Sequence, residues 1–325
     1  MPLTLTHLSA HDSARPRTAP SSQQAQCARP QPFTLRPLEL WHLASLDAPT
    51  VAVAWALGFA WVADVRLAAW VAPLLALTVW AVYVFDRLLD ARTALRTCEI
   101  NRLRERHYFH WRHRRVLFPL AVVAACAAAG LIAVFMPMAA RKCNSVLAAA
   151  SLAYFARVHA GQRARPFLSA LLTKELLVGV LFTVGCVLPA FGALRVAHGG
   201  RSPLLCAAFF VPLAWLNCHA IDRWESEKSK SVDPPAGMEP PTQWRRRGSF
   251  TAAWLLAGCG TVLAAGASWL HPRAAALLAA GAASALLLAL LDRRRGRLGP
   301  VALRAAADFV LLTPALLLAL VWLTR

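Results

Sequence analysis

The 325-residue sequence predicts an all-α fold: a polytopic integral membrane bundle of about nine transmembrane helices. Three observations predict it. Hydrophobic residues make up 58% of the chain and charged residues only 16%, with a mean hydropathy of +0.48. A soluble domain is nearer half apolar and a quarter charged, so an ordinary soluble enzyme, a disordered chain and a small disulfide scaffold are all excluded. Long apolar runs recur along almost the whole chain after residue 45. The formal charge is nonetheless +19, and the basic residues alternate in density between successive connections.

The runs cover 46–62, 67–85, 116–138, 145–159, 167–191, 203–221, 250–270, 274–291 and 301–322. Most approach the ~20 apolar residues that cross a hydrocarbon layer; the first and fourth are short. No strand alternation competes with them, which argues against a barrel, and they lack the polar face of a soluble bundle helix. With the N-terminus cytoplasmic, about 25 of the 35 Lys and Arg fall in inner segments and about 7 in outer ones. This positive-inside asymmetry predicts an inner N-terminus, an outer C-terminus and nine spans. The pI near 11 is then a leaflet pattern, and nucleic-acid binding is not expected.

Residues 1–45 are rich in Ser, Gln, Pro and Arg and have no apolar h-region, so they are not a secretory signal peptide. A flexible cytoplasmic tail is the preferred reading, with a transit peptide as the alternative, and a bacterial plasma (inner) membrane is the expected location. The eight cysteines show no CxxC spacing and mostly lie inside apolar runs, so neither disulfides nor a zinc site is expected.

The 16 acids are scarce enough for position to carry meaning. Asp47, Asp86, Asp90, Asp222, Glu225, Glu227 and Asp292 fall at inner ends of spans. Lys174 and Asp308 lie about seven residues inside an inner end, roughly 10 Å at the α-helical rise. Ionisable groups at membrane depth usually face a wet cavity or each other, so the pattern predicts a polar cavity open to the cytoplasm. Lys174 also has a plainer reading, an ion pair with Asp308 or Glu175.

In Phe85-Asp86-Arg87-Leu88-Leu89-Asp90 the two aspartates are i and i+4, neighbours on one helix face. Such a pair suits a divalent cation, and Mg²⁺ typically bridges carboxylates to a diphosphate. The spacing suits a solvated helix end with local ion pairs equally well. At the inner end of the sixth run, Asp222 and Glu225 are i and i+3, with Asn217 one turn earlier.

On these residues the chain resembles the UbiA-type family of intramembrane aromatic prenyltransferases. Members have nine helices and two Asp-rich motifs, at the inner ends of the second and sixth. Asp86 and Asp90 match the carboxylates of the first motif, Asn-x-x-x-Asp-x-x-x-Asp, whose Asn position is Val82 here. Asp222 matches the second motif, while Ser226 stands at its second Asp, beside Glu225 and Glu227. Tyr154 fits a Tyr-x-x-x-Lys element in which Val158 replaces the Lys; Lys174, Arg163 and Arg165 are nearby cations.

The resemblance implies transfer of a prenyl group from a prenyl diphosphate to a lipophilic or aromatic acceptor. It implies Mg²⁺ held by Asp86, Asp90, Asp222 and Glu225, with Glu227 as an alternative to Glu225. It implies a diphosphate bound by Arg163, Arg165, Lys174 and Asn217, with Lys174 and Asp222 acting in catalysis. A non-catalytic lipid-binding or assembly protein of the same fold is the second reading, and a transporter using Lys174, Asp308 and Asp47 the third. The segment 91–115 carries eight arginines, three histidines, Tyr108 and Trp111. It reads as an interfacial helix on anionic lipid, a cap over the diphosphate cavity, or a three-histidine metal site, the last opposed by its arginines. Residues 226–248 read as a flexible cytoplasmic loop punctuated by prolines.

Overall fold

The computed structural model describes residues 37–96, 104–159, 174–194, 202–232 and 243–324. Among these the chain is helical and has no strand. The helices are α1 (Pro37–Leu43), α2 (Asp47–Val62), α3 (Val71–Arg96), α4 (Glu105–Arg112), α5 (Arg114–Phe135) and α6 (Met138–His159). They continue as α7 (Lys174–Leu194), α8 (Ser202–Val232), α9 (Gln243–Ala267), α10 (Pro272–Arg294), α11 (Pro300–Phe309) and α12 (Thr313–Leu323). The compact unit begins at Pro37, nine residues before the expected boundary at 45/46.

Among the described residues, five helices or helix pairs are long and apolar enough to cross a membrane: α3, α5, α8, α10 and the α11–α12 pair. A sixth candidate joins α1 and α2, which meet at 90°. Parts of α7 and α9 (Glu175–Phe191 and Thr251–Ala267) are apolar but shorter. All-α architecture with several membrane-length helices thus holds among the described residues.

The largest core cluster forms around aromatic rings of α2 and α8. Trp55 stacks on Phe210 at 3.8 Å between centroids, and Phe59 meets the same ring edge-on at 6.0 Å. The packing depends on glycines, since small residues let apolar helices approach where no water is squeezed out between them. A Cβ at Gly260 or Gly281 would come within 2.7 Å of the Phe209 ring, so α9 and α10 close around that side chain only because both are glycine.

Two interruptions of the helical ladder shape the interior. At the α1–α2 corner, Ser45 takes φ of 57°, a left-handed conformation that costs a non-glycine residue energy unless its surroundings enforce it. They do: the Arg87 Nε–H donates to Ser45 Oγ at 2.8 Å, and the Trp80 indole N–H donates to the Ala44 carbonyl at 3.0 Å. The second interruption is a 3₁₀ turn over Val310–Leu312 between α11 and α12, where Pro314 sets the new helix start. Carbonyls released there are taken up by neighbours. Trp55 donates to the Leu311 carbonyl at 2.9 Å, and Ser284 Oγ donates to that of Val310 at 2.7 Å.

Candidate functional site

A cavity of about 240 Å³ lies between these two interruptions. Its wall takes His42 from α1, Asp47 from α2, Tyr83 and Arg87 from α3, and Arg104 and Arg106 from the start of α4. Helices α7 and α8 add Glu175, Phe182, Asn217, Cys218, Asp222 and Glu225, and Asp308 comes from α11. Its polar groups form two layers.

The first layer is a node at the helix breaks. Asp47 opens α2, where a carboxylate is favoured by the helix dipole, and its Oδ1 accepts the Ala48 N–H at 2.9 Å. Its Oδ2 lies 2.6 Å from His42 Nδ1 across the corner. Asp308, just before the second break, places Oδ2 3.3 Å from the same nitrogen. Asn217 Nδ2 donates to the other oxygen of Asp308 at 3.0 Å. His42 and Asp47 are each only 2% exposed.

The second layer is cationic and lies under α4. Glu225 is held by Arg104 and, at 2.6 Å, by Nε of Arg304, which also reaches Glu105 at 3.4 Å. His110 is fully buried: its Nδ1–H donates to the Arg106 carbonyl at 2.8 Å, and its Nε2 meets Ser45 Oγ at 3.3 Å. His107 Nδ1 accepts the Arg104 N–H at 3.2 Å, and its Nε2 lies 3.6 Å from Asp90. Burial of these imidazoles disfavours their charged forms, pushing His107 down and His110 to about 4. Arg106 is pushed down to about 9 by burial and then by Arg87, Arg304 and Arg104, and its Nε has no hydrogen-bond partner. Three guanidiniums, those of Arg87, Arg104 and Arg106, therefore line the cavity, and Arg304 joins them through Glu225 of the same wall.

Asn217, Asp222 and Glu225 line the cavity. Asp86 and Asp90 do not: Tyr83 and Arg87 hold the cavity-facing stripe of α3, and Asp90 lies instead beside His107. Lys174 opens α7, while Arg163 and Arg165 lie outside the described residues. Glu227 pairs with Arg223 at 3.1 Å and Arg295 at 3.2 Å. The three histidines of α4 and its C-cap do not converge, because His107, His110 and His113 each serve a different partner. All six described cysteines are free thiols.

Mg²⁺ needs several oxygen donors around one point. The set implied by the motifs does not supply them here. Asp86 and Asp90 lie off the cavity wall, Glu225 is taken by two arginines, and Asp222 stands exposed at the rim. Sequence reasoning had marked Asp47 and Asp308 but not His42, which fell in the segment read as tail. A histidine five residues before an aspartate, at the junction of a polar tail and the first apolar run, was the available signal. No protein-family profile, curated protein or solved structure matches the chain.

Proposed function

We propose that the chain is a prenyltransferase-like integral membrane protein that takes the diphosphate head of a prenyl diphosphate beneath α4. Carrying the reading is the gathering of Arg87, Arg104 and Arg106 in the cavity wall, joined through Glu225 by Arg304, with Glu105 and Glu225 directly paired to the cluster and Asp222 and Asp90 near Arg104. A buried guanidinium cluster is stabilised by an incoming polyanion, and Arg suits the bidentate recognition of phosphate. Of the readings open for segment 91–115, the cap best suits Arg104 and Arg106 in the cavity wall.

The same arginines would stabilise charge developing on a leaving pyrophosphate. Val51, Val178, Phe182, Ala214 and Leu311 supply an apolar wall that keeps water from an allylic cation. The volume is below the ~300–1,000 Å³ of pockets that enclose a whole drug-sized ligand, so it suits a head group with its tail along the apolar helix surfaces. Nine spans and an inner N-terminus belong to this proposal and are supported by the distribution of Lys and Arg, and a bacterial inner membrane belongs to it as well.

The test is equilibrium binding of a radiolabelled prenyl diphosphate to the full chain in nanodiscs, with and without Mg²⁺. Binding that falls at least about tenfold in Arg106→Gln and survives in Asp86→Asn/Asp90→Asn supports the proposal. No binding, or binding lost only in the double aspartate variant, overturns it. One observation favours a second reading as a transporter. The interrupted helix pairs α1–α2 and α11–α12 flank buried ionisable groups, as broken helices do at transport sites. Cation flux in proteoliposomes distinguishes the two.

A further inference from the structure

We propose that His42, Asp47 and Asp308, completed by Asn217, form a binding site for one divalent cation of the Mn²⁺, Co²⁺ or Zn²⁺ kind. The three donor atoms lie within 4.8 Å of one another, the tightest metal-capable grouping among the described residues. Their orientation is fixed from behind. Asp47 Oδ1 is occupied by a backbone N–H and Asp308 Oδ1 by the Asn217 amide, so the two Oδ2 atoms are left to converge on His42 Nδ1. Hydrogen bonds of this kind behind the donors are what orient metal ligands.

An independent observation points to a ligand. Asn217 is 4% exposed and its Oδ1 has no hydrogen-bond partner, although the residue lines the cavity. Buried polar atoms are satisfied in the great majority of cases, so this orphan in the cavity wall marks a missing partner. Charge agrees: two carboxylates balance a divalent cation while the imidazole stays neutral. The donor set decides the class. An imidazole nitrogen with carboxylate oxygens suits borderline transition ions, whereas Mg²⁺ prefers oxygen alone. Binding displaces the proton between Nδ1 and Asp47, which moves to Nε2 in a neutral ring and is released to solvent only from an imidazolium, so affinity rises with pH as the imidazolium is depleted.

The site does not rest on prenyl transfer, since the cation is titrated alone and either proposal can fail without the other. The full chain in nanodiscs is stripped with chelator, then titrated with Co²⁺ or Mn²⁺, and bound metal is counted after gel filtration. One cation per wild-type chain is expected, retained in Asp86→Asn/Asp90→Asn and weakened at least about tenfold in His42→Gln and Asp308→Asn. On wild type alone, nitrogen hyperfine coupling to bound Mn²⁺ reports the imidazole ligand, so the proposal stays testable even if a variant does not fold. Substoichiometric binding, absence of that coupling, or loss only in the double aspartate variant overturns it.

Discussion

The two polar layers of the cavity are built from the same ingredients and balanced in opposite directions. At the helix breaks, two carboxylates converge on one imidazole, and the layer is short of positive charge. Under α4, four arginines meet Glu105 and Glu225, with Asp222 and Asp90 near Arg104, and this layer holds the cavity's guanidiniums. Burial makes an unpaired charge in either layer expensive, and each offers groups that suit a different half of a metal–anion pair. A cavity polarised in this way is suited to holding a cation at one end and an anion at the other.

Breaking the cationic layer should have the largest effect. Glu225→Gln leaves Arg104 and Arg304 without their shared counter-ion, and removing one member of a buried pair costs about 3 kcal/mol. The thermal unfolding midpoint in detergent should drop sharply, whereas an unchanged midpoint would mean that the pairs are not formed. Added pyrophosphate should raise the midpoint of wild type more than that of Arg106→Gln.

The cap should also come loose in acid. His110 carries a pKa of about 4 in the folded state against an ordinary 6.5, so below 6.5 the unfolded chain takes up a proton that the folded chain refuses. Stability is present above pH 6.5 and is lost as pH falls toward 4, by up to about 3 kcal/mol, with His107 adding in the same direction. His110→Asn should flatten that slope, and an equally steep slope in the variant would place its cause elsewhere.

A smaller effect is expected at the α1–α2 corner. Ser45→Gly relieves the left-handed strain but deletes the acceptor for Arg87, so the terms offset and the net change should stay within about 1 kcal/mol. Ser45→Ala keeps the strain and loses the bond, and should cost about 1–2 kcal/mol. If glycine proves as costly as alanine, the conformation is not the strained element.

These contrasts also explain what could be read from the sequence. Apolar runs revealed the helices because a membrane-length segment needs no partner to declare itself; α3, α5, α8 and α10 coincide with expected runs. The Asp86–Asp90 spacing correctly put two carboxylates on one helix face, but spacing does not say which face turns inward, and Tyr83 and Arg87 took that place. Asp47 and Asp308 drew notice through their depth, yet most of the chain separates them, and no local pattern encodes their meeting. His42 was missed because α1 has only seven residues and turns through 90° before α2, so it leaves no span-length signature.

The central claim, a cavity with a cation at the helix breaks and an anion beneath α4, is tested most directly by imaging both at once. Cryo-electron microscopy of the full chain in nanodiscs with Mn²⁺ and a prenyl diphosphate should show metal density between His42, Asp47 and Asp308. Diphosphate density should lie against Arg104 and Arg106. Metal and diphosphate together at Asp86 and Asp90, with the cavity empty of both, would contradict the account.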